Sequence, residues 1–385
     1  MQNLIFFNHI MNPIYIHIPY CLHKCGYCDF NSHPENREES EIYVSALLSE
    51  IEHYAPQLAD QEVPTVFFGG GTPTLLPPAS LDKILAKVKH LFSLTQDCEI
   101  TIEANPATIK RETLEQIRSS GFNRISIGVQ SFDLDELKLL ERVHNEEEIH
   151  TTVDRARLAG FDNLSLDLMS GLPGQSPEKW QSHLLQAIDK NPDHISAYGL
   201  TIEPATSFHK LQERGLLTLP PEDTQLEMFQ ETIKTLQSAG YEQYEISNFA
   251  KSGYECGHNQ GYWRMIPYLG FGPSAHSYDG FKRWWNTASL DQYLQLASQN
   301  ESPISGSEIL SDNNKFNELI FNGLRMTEGA AIKELERHYQ GLFRSYLEQA
   351  MIKWPQLLYK DGYLKLSEKG VLLADEISAD LFVLP

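Results

Sequence analysis

Three cysteines near the start of the chain have the residue type and spacing most suited to chemistry. Cys21, Cys25 and Cys28 lie on one short stretch after the apolar run Ile14–Ile18, and no fourth cysteine lies nearby in the sequence. Three thiolates can hold a four-iron cluster in which one iron keeps no protein ligand, much as a catalytic zinc site keeps one position open. The spacing therefore predicts an iron–sulfur cluster with an iron to which a small molecule can bind.

A zinc site and buried structural thiols are the alternative interpretations of these cysteines. A structural zinc ion takes four ligands, so His17, His23 or His33 would have to complete the set. We favour the cluster because the motifs further along the chain support it.

A glycine run follows the next apolar segment. Residues 69–74 read Gly-Gly-Gly-Thr-Pro-Thr. Backbone without side chains can approach a ligand closely, and its amides and carbonyls can pair with an amino-acid head group. The run lacks the lysine of a phosphate-binding P-loop, so it gives no support to ATP binding.

Polar side chains stand where further β-like runs end. Glu103 precedes a proline-containing turn, and Gln130, Arg142 and Asp167 lie at strand ends or early in the helix that follows. A carboxylate can accept hydrogen bonds from an ammonium group or from hydroxyls, and a guanidinium can bind a ligand carboxylate. These residues predict a binding site for a polar ligand.

A second dense cluster, Cys-Gly-His-Asn-Gln-Gly-Tyr-Trp, begins at Cys256. Histidine is the usual protein ligand of haem iron, so His258 is a candidate ligand that Asn259 could orient. Tyr262 and Trp263 could supply flat surfaces for a porphyrin, and Cys256 is a second possible ligand or an attachment site. The alternative is that these aromatic residues pack under the C-terminal part of the chain while His258 caps a loop.

The elements that must position these residues alternate between β-like runs and helical patterns. Six short apolar runs are candidate strands, at residues 14–18, 65–68, 99–103, 124–129, 163–169 and 194–200. The stretches between them have apolar residues at helical spacing. This pattern predicts an α/β fold with a parallel sheet that forms an incomplete (β/α)6 barrel, with its chemistry at the C-terminal ends of the strands.

We divide the chain into three parts on this basis. Residues 13–248 form the predicted barrel, and residues 249–311 form a connecting segment that carries the candidate haem motif. Residues 312–385 contain three helical patterns and a predicted β-hairpin, a combination that resembles a winged helix. This part is slightly acidic, which argues against a role in reading DNA.

Composition restricts the partners and the compartment. The 385 residues carry a net charge of −21, so a nucleic acid or an anionic membrane is not an expected partner. Three of the five cysteines are clustered, which argues against a disulfide framework. The first residues lack the features of a leader peptide, and no apolar run is long enough to span a bilayer. We expect a cytoplasmic protein.

These motifs together resemble the radical S-adenosylmethionine (SAM) proteins related to oxygen-independent coproporphyrinogen III oxidase, and most closely their haem chaperone branch. The resemblance implies that Cys21, Cys25 and Cys28 bind a [4Fe-4S] cluster. Positions that match contacts of a first SAM molecule are Tyr15, Gly70, Glu103 and His276. Positions that match the surroundings of a second SAM are Tyr27, Gly71, Thr72, Gln130, Arg142, Asp167 and Gly199. The residues similar to the chaperones' haem motif are His258, Asn259, Tyr262 and Trp263.

The resemblance implies a protein that binds haem as cargo and hands it to an acceptor protein, with membrane contact only through such an acceptor. An oxidase is the rival, but that enzyme has a further cysteine two residues after the third cluster ligand, where this chain has Phe30, and a longer N-terminal extension. A methyl or alkyl transferase that uses two SAM molecules is a third hypothesis. Glu103 and Arg142 fit both the chaperone and the oxidase, so they do not decide between them.

Overall fold

The computed structural model describes residues 12–58 and 61–383. Residues 1–11, on which the prediction of no leader peptide rests, lie outside this range. The six predicted strands are present, pair in parallel in chain order, and form the main sheet. Their bounds are β1 Ile14–Ile18, β2 Glu62–Gly70, β3 Ser93–Ala104, β4 Arg124–Gln130, β5 Asn163–Ser170 and β6 His194–Gly199.

Three further short strands extend both edges of this sheet. They are β7 Glu242–Glu245, β8 Asn248–Ala250 and β9 Leu269–Phe271. β8 pairs antiparallel with β6 and with β7, whereas β9 pairs in parallel with β1. The nine strands therefore have the order β9-β1-β2-β3-β4-β5-β6-β8-β7, and the six-stranded prediction describes the centre of the sheet.

Helices connect the parallel strands, as βαβ units require. Their bounds are Arg37–Tyr54, Pro78–Leu91, Arg111–Ser120, Leu134–Leu139, Glu146–Leu158, Pro177–Asp189, Ser207–Glu213 and Glu222–Ser238, with 3-10 turns at Ala55–Leu58 and Pro73–Leu75. Three of the helices end at Gly121, Gly160 and Gly240, each with a positive φ that lets the chain turn back toward the sheet. One apolar core, with Ile16, Phe68 and Trp180 among its fully buried members, joins the sheet to these helices.

Residues 249–311 carry more regular structure than a plain connection. Their helices are Gly257–Trp263 (the motif helix hereafter) and Leu290–Ser298. A small antiparallel sheet is made by His276–Tyr278, Lys282–Asn286 and Ile304–Ile309. Buried Glu50 ties this segment to the barrel, because its carboxylate accepts hydrogen bonds from the Asn286 side chain at 2.6 Å and from Gly272 N at 2.9 Å.

The C-terminal part has a separate apolar cluster that includes Phe316, Leu335 and Leu364. Its helices are Asp312–Arg325, Ile332–His338, Phe343–Lys353, Glu368–Val371 and Ala374–Asp380, and its three-stranded sheet contains Ala330–Ala331, Leu357–Lys360 and Tyr363–Leu366. The three predicted helices and the predicted hairpin are present. The likeness to a winged helix stays a prediction.

The C-terminal part is joined to the barrel by an ion pair and by backbone hydrogen bonds. Arg325 Nε lies 2.6 Å from Glu245 Oε2, and Ile246 N donates to Arg325 O at 3.2 Å. Across the described ranges, every helix is too short or too polar to cross a lipid bilayer.

Candidate cluster and ligand site at the barrel mouth

A cavity of about 530 Å³ opens at the C-terminal ends of the parallel strands. This is the edge of the sheet at which such barrels place their chemistry. The predicted site residues that line it are Tyr15, Cys21, Cys25, Tyr27, Cys28, Gly70, Gly71, Glu103, Gln130, Arg142, Asp167, Gly199, His258, Asn259 and Tyr262. The structure therefore brings most of the predicted residues to one mouth. We call this space the first cavity.

The cysteine loop lies over the first cavity with its three thiols partly exposed and unpaired. Cys28 N donates to Cys25 O at 3.1 Å, Thr72 Oγ1 donates to Cys21 Sγ at 3.7 Å, and Arg142 Nη1 lies 3.9 Å from Cys25 Sγ. Burial raises the pKa of Cys28 to about 11, and a bound metal would favour its thiolate form. The loop presents donors to the sulfurs, which suits thiolates that hold a cluster.

A single zinc ion fits these side chains poorly. Nowhere in residues 12–58 and 61–383 do three or more His, Cys, Asp or Glu side chains converge as one metal ion requires. His17 is also engaged, because its Nε2 lies 2.8 Å from Asn31 O and its Nδ1 lies 3.1 Å from the Tyr15 hydroxyl. A four-iron cluster does not need the three sulfurs to converge, since each sulfur binds a different iron.

The glycine run is required by packing against the cysteine loop. A Cβ on Gly71 would overlap the Tyr20 carbonyl, and a Cβ on Gly70, which has φ +108°, would overlap the His17 ring. Gly71 N donates to Ile18 O at 2.8 Å, and Thr72 N donates to Tyr20 O at 2.6 Å. The absence of side chains at these positions thus lets two strand-end loops lie side by side, in addition to the predicted approach of a ligand.

Two half-buried carboxylates face the first cavity, Glu103 from β3 and Asp167 from β5. Gly70 N donates to Glu103 Oε2 at 3.1 Å, and burial together with the charge of Asp167 raises the pKa of Glu103 to about 8. Burial also raises the pKa of Asp167. Ser126 Oγ donates a hydrogen bond to Asp167 Oδ2 at 3.0 Å. A ligand that brings an ammonium group or hydroxyls here would stabilise the charged carboxylates.

The Arg142 guanidinium already forms hydrogen bonds with neighbouring residues. Its Nη2 donates to Gly128 O at 2.6 Å and to Asn105 Oδ1, while Asn105 Nδ2 donates to Thr72 Oγ1 at 2.7 Å. Its third contact is the approach to Cys25 described above. In this arrangement the guanidinium mainly holds the strand-end loops together, whereas the sequence predicted that it binds a ligand carboxylate.

Three residues that the sequence analysis missed contribute to the first cavity. Asn105 lies two residues after Glu103 in the same strand-end turn, and the Tyr198 hydroxyl donates to Gln130 Oε1 at 2.6 Å. Arg124 is 2% exposed at the start of β4, lines the cavity, and has no hydrogen-bond partner for Nε within the described part of the chain. A lone charged residue at the start of an apolar strand was the signal that could have identified it.

The motif helix places His258 inside the barrel. The ring is 1% exposed and stacks on Phe67 with centroids 5.0 Å apart. Its Nδ1 lies 2.8 Å from Thr65 Oγ1 and its Nε2 lies 3.0 Å from the Tyr262 hydroxyl. Burial and the charge of Arg124 lower its pKa to about 3. Both ring nitrogens are therefore engaged, and ligation of haem iron by His258 would require one of these hydrogen bonds to break.

Glu99 on β3 holds the start of the motif helix. Its carboxylate accepts hydrogen bonds from Gly257 N at 3.1 Å and His258 N at 3.2 Å, and Cys256 Sγ donates to it at 3.6 Å. Burial raises the pKa of Cys256 to about 12. Cys256 is accordingly a buried thiol with a protein partner, which disfavours it as an iron ligand or an attachment site.

A second cavity, of about 710 Å³, adjoins the first. The two share Tyr15, Asp29, Phe30, Gly70, Glu103 and Tyr262 in their walls. Trp263 and His276 line the second cavity and not the first, while Thr72 lies behind the first, in a small pocket next to Cys25 and Arg142. The second cavity thus brings together all four positions that the resemblance matched to the first SAM molecule, which are Tyr15, Gly70, Glu103 and His276.

Comparison with known proteins places the chain in a family. The Radical SAM superfamily model matches residues 15–187. The heme chaperone HemW of Bacillus subtilis is 36% identical over 95% of this chain and 98% of that protein. HemW of Escherichia coli is 44% identical over 68% of this chain and 69% of that protein. The chain belongs to the haem chaperone family of radical SAM proteins. This confirms the resemblance inferred from the motifs.

The structure of this haem chaperone family member also resembles that of coproporphyrinogen III oxidase (HemN) from Escherichia coli, a radical SAM enzyme. The TM-score is 0.83 at 27% identity, over 97% of this chain and 91% of the other. Membership of the radical SAM superfamily implies a [4Fe-4S] cluster and SAM. The cysteine loop and the buried polar groups of the first cavity fit both.

Proposed function

We propose that this protein carries haem on a radical SAM scaffold and transfers it to an acceptor protein. Similarity to curated haem chaperones over nearly the whole chain carries the proposal, because it includes the motif helix as well as the cluster loop. The proposed partner is a protein that receives haem from this chain. The net charge of −21 argues against a nucleic acid as partner. Cytoplasm is the compartment we propose, since the thiols must stay reduced.

In this proposal the first cavity holds the cluster and SAM. Cys21, Cys25 and Cys28 would hold the cluster, which when bound would offer SAM an iron without a protein ligand. Glu103 receives donors from the ligand at the wall of the cavity, and its hydrogen bond from Gly70 N fixes the carboxylate. The Tyr198 hydroxyl fixes the amide of Gln130 in the same mouth.

The motif helix and the second cavity provide the surfaces for haem. Tyr262 and Trp263 present aromatic faces to the second cavity, and Asn259 faces the first. Phe30 is 60% exposed and lies in the shared wall of the two cavities, at the position where the sequence analysis expects a cysteine in the oxidase. An apolar ring there favours contact with a large flat ligand over further cluster chemistry.

The second candidate function is oxidative decarboxylation of coproporphyrinogen III, which the structural likeness to HemN favours. The deciding experiment uses anaerobically reconstituted, reduced protein with SAM. One sample receives coproporphyrinogen III and a parallel sample is titrated with haem. We expect tight haem binding and no protoporphyrinogen. Formation of protoporphyrinogen with 5′-deoxyadenosine would contradict the chaperone proposal, and a methylated product with S-adenosylhomocysteine would identify a methyltransferase.

A further inference from the structure

Arg325, at the end of the helix Asp312–Arg325, contacts the barrel and the motif helix at the same time. Its Nε lies 2.6 Å from Glu245 Oε2 on β7, and its Nη2 donates to Ser247 Oγ at 3.1 Å. The central carbon of its guanidinium lies 4.6 Å from the centre of the Trp263 ring. A single side chain of the C-terminal part therefore joins three parts of the molecule.

The carboxylate of Glu245 fixes the guanidinium over the indole. Glu245 is 0% exposed, and its carboxylate accepts hydrogen bonds from Ser247 N at 3.0 Å and from the Asn248 side chain. A planar guanidinium can pair with a carboxylate along its edge while its face lies on an aromatic ring. The turn between β7 and β8 thus sets the orientation of Arg325, and Arg325 in turn faces Trp263.

Within residues 12–58 and 61–383, the Trp263 ring lacks a hydrogen bond that would fix its orientation. Its ring nitrogen is buried and has no partner there. A cation over the face of an indole is attracted by the electrons of the ring. We therefore expect the contact with Arg325 to orient Trp263, the last residue of the motif helix.

A second contact joins the C-terminal part to the end of the motif helix. Arg264 directly follows that helix and donates to Glu328 Oε2 from Nε at 3.2 Å and from Nη2 at 2.8 Å. The two side chains are 46% and 40% exposed, so this pair alone contributes little to stability. Together with Arg325, however, it ties two adjacent residues, Trp263 and Arg264, to the C-terminal part.

We propose that the C-terminal part completes the haem motif, with Arg325 as a positioning residue that holds Trp263 for contact with haem. This inference rests on the proposed function, because it concerns the binding of the same cargo. Arg325 acts through Trp263, whose aromatic ring suits a flat ligand. Glu328 supports the same arrangement by holding Arg264. The motif helix then binds haem tightly only when the C-terminal part is docked against it.

The test is a haem titration of the full-length, cluster-reconstituted protein, followed through the Soret band. Loss of Arg325 alone would leave Glu245 buried without its ion pair, so the test variant combines Arg325→Met with Glu245→Gln. Glu245→Gln alone is the matched control, because it leaves the guanidinium over Trp263. We expect the control to bind haem within about twofold of the wild type. The double variant should bind about three- to thirtyfold more weakly, the range of one cation–π contact.

A second comparison shows whether Arg325 acts through Trp263. In a Trp263→Leu background, Glu245→Gln should have the same haem affinity with and without Arg325→Met, because the ring that Arg325 positions is absent. An arginine that only supported the fold would weaken haem binding by the same factor with or without that ring.

Reversal of the second contact gives an independent test that leaves the buried ion pair intact. Arg264→Glu and Glu328→Arg should each weaken haem binding by about two- to fivefold, and the two changes combined should restore it. Arg344→Glu on the helix Phe343–Lys353, where the side chain is 94% exposed, is the control for a charge reversal and should match the wild type. Single reversals that bind haem as the wild type does would overturn the role of Glu328.

The outcomes separate this inference from the proposed function. Wild-type protein that binds no haem would contradict the proposed function itself. Wild-type protein that binds haem, with the double variant equal in affinity to Glu245→Gln, would overturn only the role of Arg325. Equal losses of haem, iron and SAM from the double variant would show that Arg325 only maintains the fold, and would also overturn it.

Discussion

The two cavities at the barrel mouth differ in how their walls are built. In the first, the polar side chains are tied to one another, as in the links from Arg142 to Asn105 and from Tyr198 to Gln130. In the second, aromatic rings such as Tyr262 and Trp263 make up about a third of the lining residues, beside charged side chains such as Arg283. Groups fixed in advance suit a small polar ligand with many hydrogen bonds, whereas aromatic walls suit a flat apolar one. The difference in lining supports the proposal that two ligands of different chemistry bind in adjoining spaces.

The largest expected effect is loss of the cluster, which tests whether the two cavities bind their ligands independently. Cys25→Ala should abolish the broad iron–sulfur absorbance and the bound iron of anaerobically purified protein, because an open three-cysteine site has no spare ligand. Haem binding should persist, since the second cavity contains none of the three cysteines. Iron analysis and absorbance spectra measure the first effect, and a haem titration measures the second.

The matched control for that variant is Cys98→Ala, which removes a thiol that is 5% exposed on β3 and lies outside both cavities. Its iron content should equal that of the wild type. Full retention of iron by Cys25→Ala would contradict the assignment of the cluster ligand.

The pH dependence of stability sharpens the description of the first cavity. Glu103 has a pKa of about 8 in the folded protein and 4.5 ordinarily, so the folded state holds its proton more tightly. Stability should therefore fall as pH rises from about 4.5 to about 8, and Glu103→Gln should remove this contribution. As pH rises from 5 to 9, the free energy of unfolding of the variant should increase relative to that of the wild type by on the order of 2–4 kcal/mol. Urea unfolding at several pH values measures the change.

The exposed variant Glu227→Gln on the helix Glu222–Ser238 is the control for this measurement, and it should follow the wild type at every pH. An equal pH profile for wild type and Glu103→Gln would mean that Glu103 is ionised throughout this range, contrary to the desolvation that raises its pKa.

The smallest expected effect is a change in the free energy of unfolding when a glycine is replaced by alanine. A comparison of Gly71 with Gly199 distinguishes a glycine needed for packing from one with free space around it. Gly71→Ala should lower the free energy of unfolding by about 1–3 kcal/mol, because its methyl group would overlap the Tyr20 carbonyl. Gly199→Ala should change it by less than about 0.5 kcal/mol, since the nearest atom to its new methyl group is Ser170 Oγ at 4.0 Å. Chemical denaturation measures both. Equal losses in the two variants would contradict the packing role of Gly71.

The barrel could be predicted from the sequence because its signals are local. Each parallel strand is a short apolar run followed by a helical pattern, and polar residues at the strand ends must meet at one edge. The pairing of β9 with β1 could not be predicted in this way. It joins Leu269 to Ile14 across most of the chain, and no local pattern indicates which strand a three-residue run will join.

The roles of individual side chains were harder to predict, because they depend on what lies opposite them. The motif pattern identifies His258 as a candidate ligand, but only the fold shows Thr65 and Tyr262 occupying its two nitrogens. Likewise, the sequence does not indicate that Asn105 accepts a hydrogen bond from Arg142. It also does not indicate that Tyr198 donates one to Gln130. The ligand sets inferred for SAM and haem remain predictions.

The most direct test of two separate sites is a haem titration of reconstituted protein saturated with SAM, in which the SAM that stays bound is counted at each point. Two adjoining cavities with different ligands predict that haem binds to one equivalent per chain while SAM remains bound. Stoichiometric release of SAM as haem binds would contradict the account, because it would place both ligands in the same space.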